Sequence, residues 1–445
     1  MNKVRAISAV LSSLLLLSAV SGCSAKKSSS ASSASTSASS SASGGSKVDI
    51  SFLNSKGEIS TQLEAAAKDF NNSNKDGITV SVSSVSSTST VDETMLSKYA
   101  SGNPCTMNMV DPSDIPTYAS KSMDLSNEAW VSQINPSLTD ALKQDGKIMA
   151  FPFAVEGYGL IYNKNTIEKA TKKTFDPSSI KSLADLESLY KEIQAGGVAP
   201  VEISHDDWSL SAHYLAVAYV TQSQGQQAYF EALKSGSADI GQNATYNGLL
   251  NLLDLNAKYN IYKSSPMSSN YNTTDPQNIA TGKAAFWFNG VWVMPNVSQF
   301  LKGDHANDEL GFLPMLVDDK TTTSIVAGGS KVVLIDNTKS TDAQRKAANE
   351  FLNWLVNDPA GQKELVTNMG LIPAFKNITL EPDNSLAKSI IGYMKAGKIL
   401  PTPNTTGDYI TKVGAYMQQY LAGKMDKATL TKSIDSYFKT ASWVK

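Results

Sequence analysis

The sequence predicts an α/β fold with a parallel sheet, divided between two domains, and three observations predict it. Val48, Ile50 and Phe52 alternate with polar residues as a strand does, and Leu63, Ala66, Ala67 and Phe70 follow at helical spacing. Ile78, Val80 and Val82 then alternate again, so strand, helix and strand form a βαβ unit, which implies a parallel sheet with helices on its faces. The chain has 445 residues, and the roughly 400 that follow its N-terminal segment exceed a single hydrophobic core. The C-terminal third carries capped amphipathic helices, and no fixed-period repeat indicates a solenoid or propeller.

At the N-terminus, Lys3 and Arg5 precede an apolar run, 6–20, that ends at Val20-Ser21-Gly22-Cys23. This reads as a secretory signal peptide over residues 1–22, because the run is shorter than the ~20 apolar residues of a membrane span. An aliphatic residue and two small ones before a cysteine resemble the bacterial lipobox. The resemblance implies that Cys23 becomes the first mature residue and carries a lipid on the outer face of the cytoplasmic membrane. Residues 23–47 are then a Ser/Ala-rich linker, a flexible coil with a reach of roughly 25–30 Å.

The only other cysteine is Cys105, so lipidation of Cys23 leaves no intramolecular disulfide. The formal net charge is −2 and no basic block occurs, which excludes nucleic acid as a partner. In the mature chain, Asn54-Ser55-Lys56-Gly57-Glu58 falls at the C-terminal end of the first strand, the edge where open α/β sheets bind ligands. Ser182 and Asp185 open a helix whose apolar face is Leu186, Leu189, Tyr190 and Ile193, with Gly196 at its end. A helix from Thr341 carries Ala347, Ala348, Phe351, Leu352 and Leu355. Another starts at Asp358-Pro359, with Leu365, Val366 and Met369 inward and Gly370 closing it.

Several segments, in order, resemble the extracellular sugar-binding proteins of ABC importers, the large two-lobed class that includes maltose- and oligosaccharide-binding proteins. They are Gly102-Asn103-Pro104, Gly157-Tyr158-Gly159-Leu160-Ile161-Tyr162-Asn163-Lys164 and Gly282-Lys283-Ala284-Ala285-Phe286-Trp287-Phe288-Asn289-Gly290-Val291-Trp292. Gly311-Phe312-Leu313-Pro314-Met315, Ala327-Gly328-Gly329 and Gly370-Leu371-Ile372-Pro373 follow. Cys105 departs from the Asp that usually follows the first of these. The resemblance covers nearly all of residues 48–445 and implies a class II-type periplasmic-binding-protein fold, with a ligand cleft between hinged lobes. The lobes would be 48–162 plus 311–370 and 163–310 plus 371–445, with crossings near Asn163, Leu310 and Gly370. It implies a monomer that delivers a sugar, an oligosaccharide by preference, to permease subunits served by a separate cytoplasmic ATPase. No phosphate-binding loop occurs in the sequence, and no cofactor is expected.

A sugar ring presents a C–H face and a hydroxyl rim, so its site needs a flat aromatic beside carboxylates, amides or Lys. Trp292 stands where the family places a stacking ring, with a core tryptophan as the alternative. Trp287, between Phe286 and Phe288, is read as packing. Trp208, next to Asp206 and Asp207, is a second ring candidate. Lys56, Glu58, Asp111, Glu156 and Tyr158 lie in expected strand-end loops and supply the polar rim, with solvated loop charge as the alternative. Asn54 and Asn289 join them, and Gly328 and Gly329 either let backbone N–H groups approach the ligand or make a turn. His205 and His213 are misplaced for one helix face and have no cysteine partners, so no metal is expected. Three other functions stay open: a surface-anchored glycoside hydrolase drawing an acid pair from Glu58, Asp111, Glu156, Asp206 and Asp207, a surface protein that binds protein, and a carrier of a non-sugar solute such as a peptide or polyol. Phosphate and sulfate are disfavoured for want of an anion nest.

Overall fold

The structure is a computed structural model that describes residues 47–86, 89–317, 323–405 and 408–444. The signal peptide, Cys23 and the linker up to residue 46 lie outside the described residues. The expected opening unit is present. Strand β1 (Val48–Asn54) pairs in parallel with β2 (Ile78–Ser84), and the helix Ser60–Ser73 between them buries Leu63, Ala66, Ala67 and Phe70. Strand β3 (Met107–Val110) adds in parallel to the other edge of β1. A two-residue Asp145-Gly146 turn, both residues at positive φ, then joins the short strands β4 (Lys143–Gln144) and β5 (Lys147–Ile148), the geometry that favours Asp-Gly in tight hairpins.

The sheet does not stay parallel. Strand β6 (Phe151–Asn163) is buried along all 13 residues. It runs antiparallel to β8 (Ala284–Gly290), β9 (Leu310–Leu313) and β10 (Ile325–Ile335), while β7 (Ala199–Glu202) lies parallel to β8 and β11 (Ile399–Leu400) parallel to β10. The order is β2-β1-β3-β10-β6-β8-β7, a mixed sheet of nine strands once β9 and β11 are added. The parallel expectation fails because a strand buried on both faces is a continuous apolar run, which carries no signal of its direction.

Two hydrophobic cores flank this sheet. The first collects Phe52, Trp130, Phe151, Phe153 and Phe351; the second collects Tyr190, Tyr214, Tyr219, Tyr246 and Phe438. Alternation along a strand divides neighbours between them, so Ile161 and Trp287 face the first core while Leu160, Tyr162, Phe286 and Phe288 face the second. Residues 371–390 put Leu371, Ile372, Phe375, Leu386 and Ile390 into the first core, whereas Tyr409, Val413, Ile434 and Phe438 pack in the second. Cys105 is a buried free thiol of the first core.

The capped helices form as their sequences specify. The Ser182 side chain accepts from the Asp185 N–H to start Leu183–Ala195, and Thr341 and Gln344 cap each other reciprocally at the head of Asp342–Asn357. Asp358 caps Pro359–Lys363, after which the chain winds more widely through Glu364–Asn368 and stops at Gly370, whose φ is +71°. Among the described residues no helix is long and apolar enough to cross a membrane.

Strand β6 tolerates its neighbours only because two positions lack a side chain. A Cβ on Gly159 would lie 2.8 Å from the Leu313 carbonyl oxygen, and one on Gly157 would lie 2.9 Å from that of Val326. Gly159→Ala is therefore expected to destabilise the protein by about 1–3 kcal/mol through overpacking. A urea midpoint unchanged by the substitution would refute that tight contact.

Candidate functional site

Asn54 ends β1 and uses its whole side chain to shape the turn that follows. Its Oδ1 accepts from the Lys56 N–H at 2.8 Å, and its Nδ2 donates to the Lys56 carbonyl at 2.9 Å and to the Ser60 and Ser84 hydroxyls. The turn aims Lys56 inward. The Lys56 Nζ lies 2.7 Å from Glu58 Oε1 and 2.6 Å from Glu156 Oε1, with the lysine side chain only 3% exposed. Burial alone would lower the ammonium pKa, but Glu156 and then Glu58 outweigh it and hold the pKa above its ordinary value. Burial would likewise raise the Glu156 carboxyl, and the facing Lys56 charge instead keeps it below the usual carboxylate range. Lys56 and Glu156 thus stay ionised, and Glu58 completes the cluster by its contact with Lys56.

Next to it, Lys331 of β10 donates to Asp111 Oδ1 at 2.6 Å. Burial disfavours the Lys331 ammonium, and Asp111 more than restores it. The Asp114 carboxylate, which accepts from the Asp111 N–H, is pushed up to about 7 by burial and then by the Asp111 and Asp92 charges.

A group of rings lies where the cores meet, with Tyr158 packed in the second core, Tyr271 against the first and Trp292 against both. His213 stands at its centre, with ring centroids 4.8 Å from Tyr158, 4.8 Å from Trp292 and 5.3 Å from Trp208. Tyr271 closes on Trp208 at 5.1 Å. Trp292 is half-buried and packs against both cores, so its platform and core roles are not exclusive. Trp208 and His213 meet because Ser209–Leu215 is wound as a π-helix, in which the Ala216 N–H donates to the Ser211 carbonyl five residues back. This wider winding brings residues five apart onto one side, a spacing that ordinary helical periodicity treats as misplaced.

A buried hydrogen-bonded chain sets the loops that carry the rings. Trp287 Nε1 donates to Ser204 Oγ at 2.9 Å, and Ser204 Oγ donates to Asp275 Oδ2 at 2.9 Å. Asp275 Oδ1 also accepts from the Tyr262 hydroxyl and the Asn270 N–H. Loop 203–208, with Trp208, and loop 269–273, with Tyr271, are thereby tied together.

The expected rim and ring residues therefore converge: Lys56, Glu58 and Glu156 in one ion cluster, Asp111 beside it, and Tyr158, Trp208 and Trp292 in the ring group. Tyr158 Oη, Asp206 Oδ2 and Asn289 Nδ2 are buried polar atoms with no hydrogen-bond partner, as is His213 Nδ1. Asn54 turns its polarity inward. Gly328 and Gly329 lie within β10, opposite Glu156 and Val155, and not in a turn; a Cβ on Gly328 would meet Thr402 Oγ1 at 2.6 Å. Trp287 is fully buried, as its strand position predicts. Lys331, His213 and Tyr271 escape the sequence reading. Lys331 had one signal, its place two residues after the double glycine. Among the described residues no three His, Cys, Asp or Glu side chains gather as a metal-binding group. A cavity of about 250 Å³ opens onto Lys56, Glu58, Glu156, Trp292, Met294 and Leu371, near the small end of ligand sites.

A profile of the family described as bacterial extracellular solute-binding protein matches residues 65–389. The maltotriose-binding protein of Pyrococcus abyssi is 24% identical over 266 residues, which span 59% of this chain and 51% of that protein, about half its length. The solute-binding protein RafE in complex with raffinose superposes with a TM-score of 0.72 at 19% identity, over 88% of this chain and 99% of that one. A sugar transporter protein of Bacillus licheniformis in complex with stachyose gives 0.68 at 20% identity, over 88% and 99%. At these identities the likeness to both structures is one of fold.

Burial lowers the His213 pKa from 6.5 to about 4, against the smaller raising effect of Asp111 and Glu156. The folded protein then refuses a proton that the unfolded chain accepts, so this contribution to stability is whole above pH 6.5 and lost as the pH falls toward 4. Urea unfolding at pH 7 and at about pH 4.5 is expected to show a smaller acid loss of stability in His213→Phe than in the parent. Equal losses would mean that His213 titrates freely.

Proposed function

Because the chain belongs to the bacterial extracellular solute-binding proteins, we propose that it captures an oligosaccharide outside the cell and hands it to the permease of an ABC importer. One observation carries the sugar reading: a group of five rings, Tyr158, Trp208, His213, Tyr271 and Trp292, meets a charged rim of Lys56, Glu58, Glu156, Asp111 and Lys331. Rings cover the C–H face of a sugar. Hydroxyls, which both donate and accept, complement the unpartnered Tyr158 Oη, Asp206 Oδ2, His213 Nδ1 and Asn289 Nδ2. Each such atom left unpaired costs on the order of 1–3 kcal/mol, so filling the site with hydroxyls favours binding strongly. The names of the relatives, a maltotriose-binding protein and proteins holding raffinose and stachyose, agree with this class of ligand.

Two lobes that close on the ligand follow the two cores, with β6 crossing between them. In this reading the first lobe keeps 48–157 and takes residues 371–395 with it, and the second keeps 409–444. The lipid on Cys23 and the linker to residue 47 hold the protein at the outer face of the membrane, within reach of the permease, while a separate cytoplasmic ATPase supplies the energy. The relatives are binding proteins, and the role proposed is capture without chemistry.

A thermal-shift screen against mono- and oligosaccharides tests the capture role, since a ligand present at a hundredfold its Kd stabilises the folded state by about 2.7 kcal/mol. Trp292→Ala is expected to weaken the sugar so found by tenfold or more, about 1.4 kcal/mol, and to lower the unfolding free energy by less. A collapse of stability with affinity intact would assign Trp292 to packing alone. Prolonged incubation with the bound oligosaccharide is expected to return it unchanged, and released product sugars would replace capture by hydrolysis.

A further inference from the structure

Resting on the sugar-capture reading, we infer that the site selects uncharged oligosaccharides and rejects those bearing uronic acids. The inference comes from the charges that face the rings. His213 is in the field of Asp111, Glu156 and Lys331, and Tyr271 is in that of Glu58, Asp206 and Lys331. Four carboxylates and one ammonium group therefore act directly on the rings, and the second ammonium, Lys56, is turned into its own ion cluster.

Each lysine already faces a carboxylate of the protein. Lys56 is buried with a carboxylate oxygen at 2.6 Å and another at 2.7 Å, and Lys331 holds Asp111 at 2.6 Å. A sugar carboxylate would have to displace one of these partners or lie beside it, and like charges brought together in a partly buried site repel strongly. The side chain best suited to a carboxylate is the guanidinium fork of arginine. The sequence has only Arg5 and Arg345, and Arg345 is bound to the Ser340 carbonyl and to Asp342 at the head of its own helix. The unpartnered Asp206 Oδ2 asks for a donor, which a hydroxyl supplies and a carboxylate does not.

The test uses the purified full chain and calorimetry with maltotriose, raffinose and cellotriose, each beside the same sugar oxidised at C6 to the uronate and the corresponding uncharged uronamide. For whichever sugar binds, the uronamide is expected within about threefold of the parent and the uronate tenfold or more weaker, with the gap narrowing at high salt. Glu58→Gln, or Asp111→Asn as an independent second variant, is expected to shift the uronate-to-parent ratio toward the uronate. A uronate that binds as well as the parent, or better, overturns the inference while leaving capture intact. A uronate and uronamide that are equally weak overturn it too, because shape would then be the discriminator. Silence from every sugar overturns the capture reading itself, and the inference with it.

Discussion

Everything at the site hangs on one buried strand. Each residue of β6 is shielded from water, so its backbone N–H and C=O groups must find protein partners. They do so with β10 and then β9 along one edge and β8 along the other, helped by the Ile372 carbonyl, which accepts from the Val155 N–H. Tyr158 is the changeover, opposite Val326 on one side and Gly290 on the other. Side chains two apart on a strand share a face about 6.6 Å apart. Glu156 and Tyr158 therefore carry the ion cluster and the ring group at a separation that no loop motion can alter.

The legible parts of the molecule were those whose signal is local. Leu63, Ala66, Ala67 and Phe70 announce a helix by their spacing, and Ser182, Thr341 and Asp358 announce helix starts by their chemistry. The direction of β6 was not legible, since a strand buried on both sides has no polar alternation to read. At the site, Lys56, Glu58 and Glu156 could each be placed at a strand end, but their ion cluster joins positions a hundred residues apart. Trp208 and His213 are near in sequence and were still not linked, because the π winding between them obeys a different period from the one assumed. Asn54 shows the opposite limit: a polar residue at the right edge of the sheet whose side-chain hydrogen bonds go to its own turn, to Ser60 and to Ser84 of the neighbouring strand.

The site divides its labour by physical type. The first core contributes charges that satisfy one another, and burial strengthens those pairs because each ion has its counterion within hydrogen-bonding distance. The rings draw on both cores, Tyr158 on the second, Tyr271 on the first and Trp292 on both, and Ser204 and Asp275 tie the loops of Trp208 and Tyr271 together. Tyr158 belongs to the second core by packing and to the strand of Glu156 by covalent connection. It is the point at which the two kinds of recognition become one surface.

The distribution of tryptophan gives the protein an optical property of its own. Of the six in the sequence, Trp130 and Trp287 are sealed in the first core, and Trp354 and Trp443 lie against Phe351 and Phe438 away from the ring group. Only Trp208 and Trp292 belong to the surface formed with His213. Emission from these two indoles responds to whatever excludes water from that surface, against a steady background from the other four. The native chain is thus its own fluorescent reporter of occupancy, with no dye attached and no residue changed.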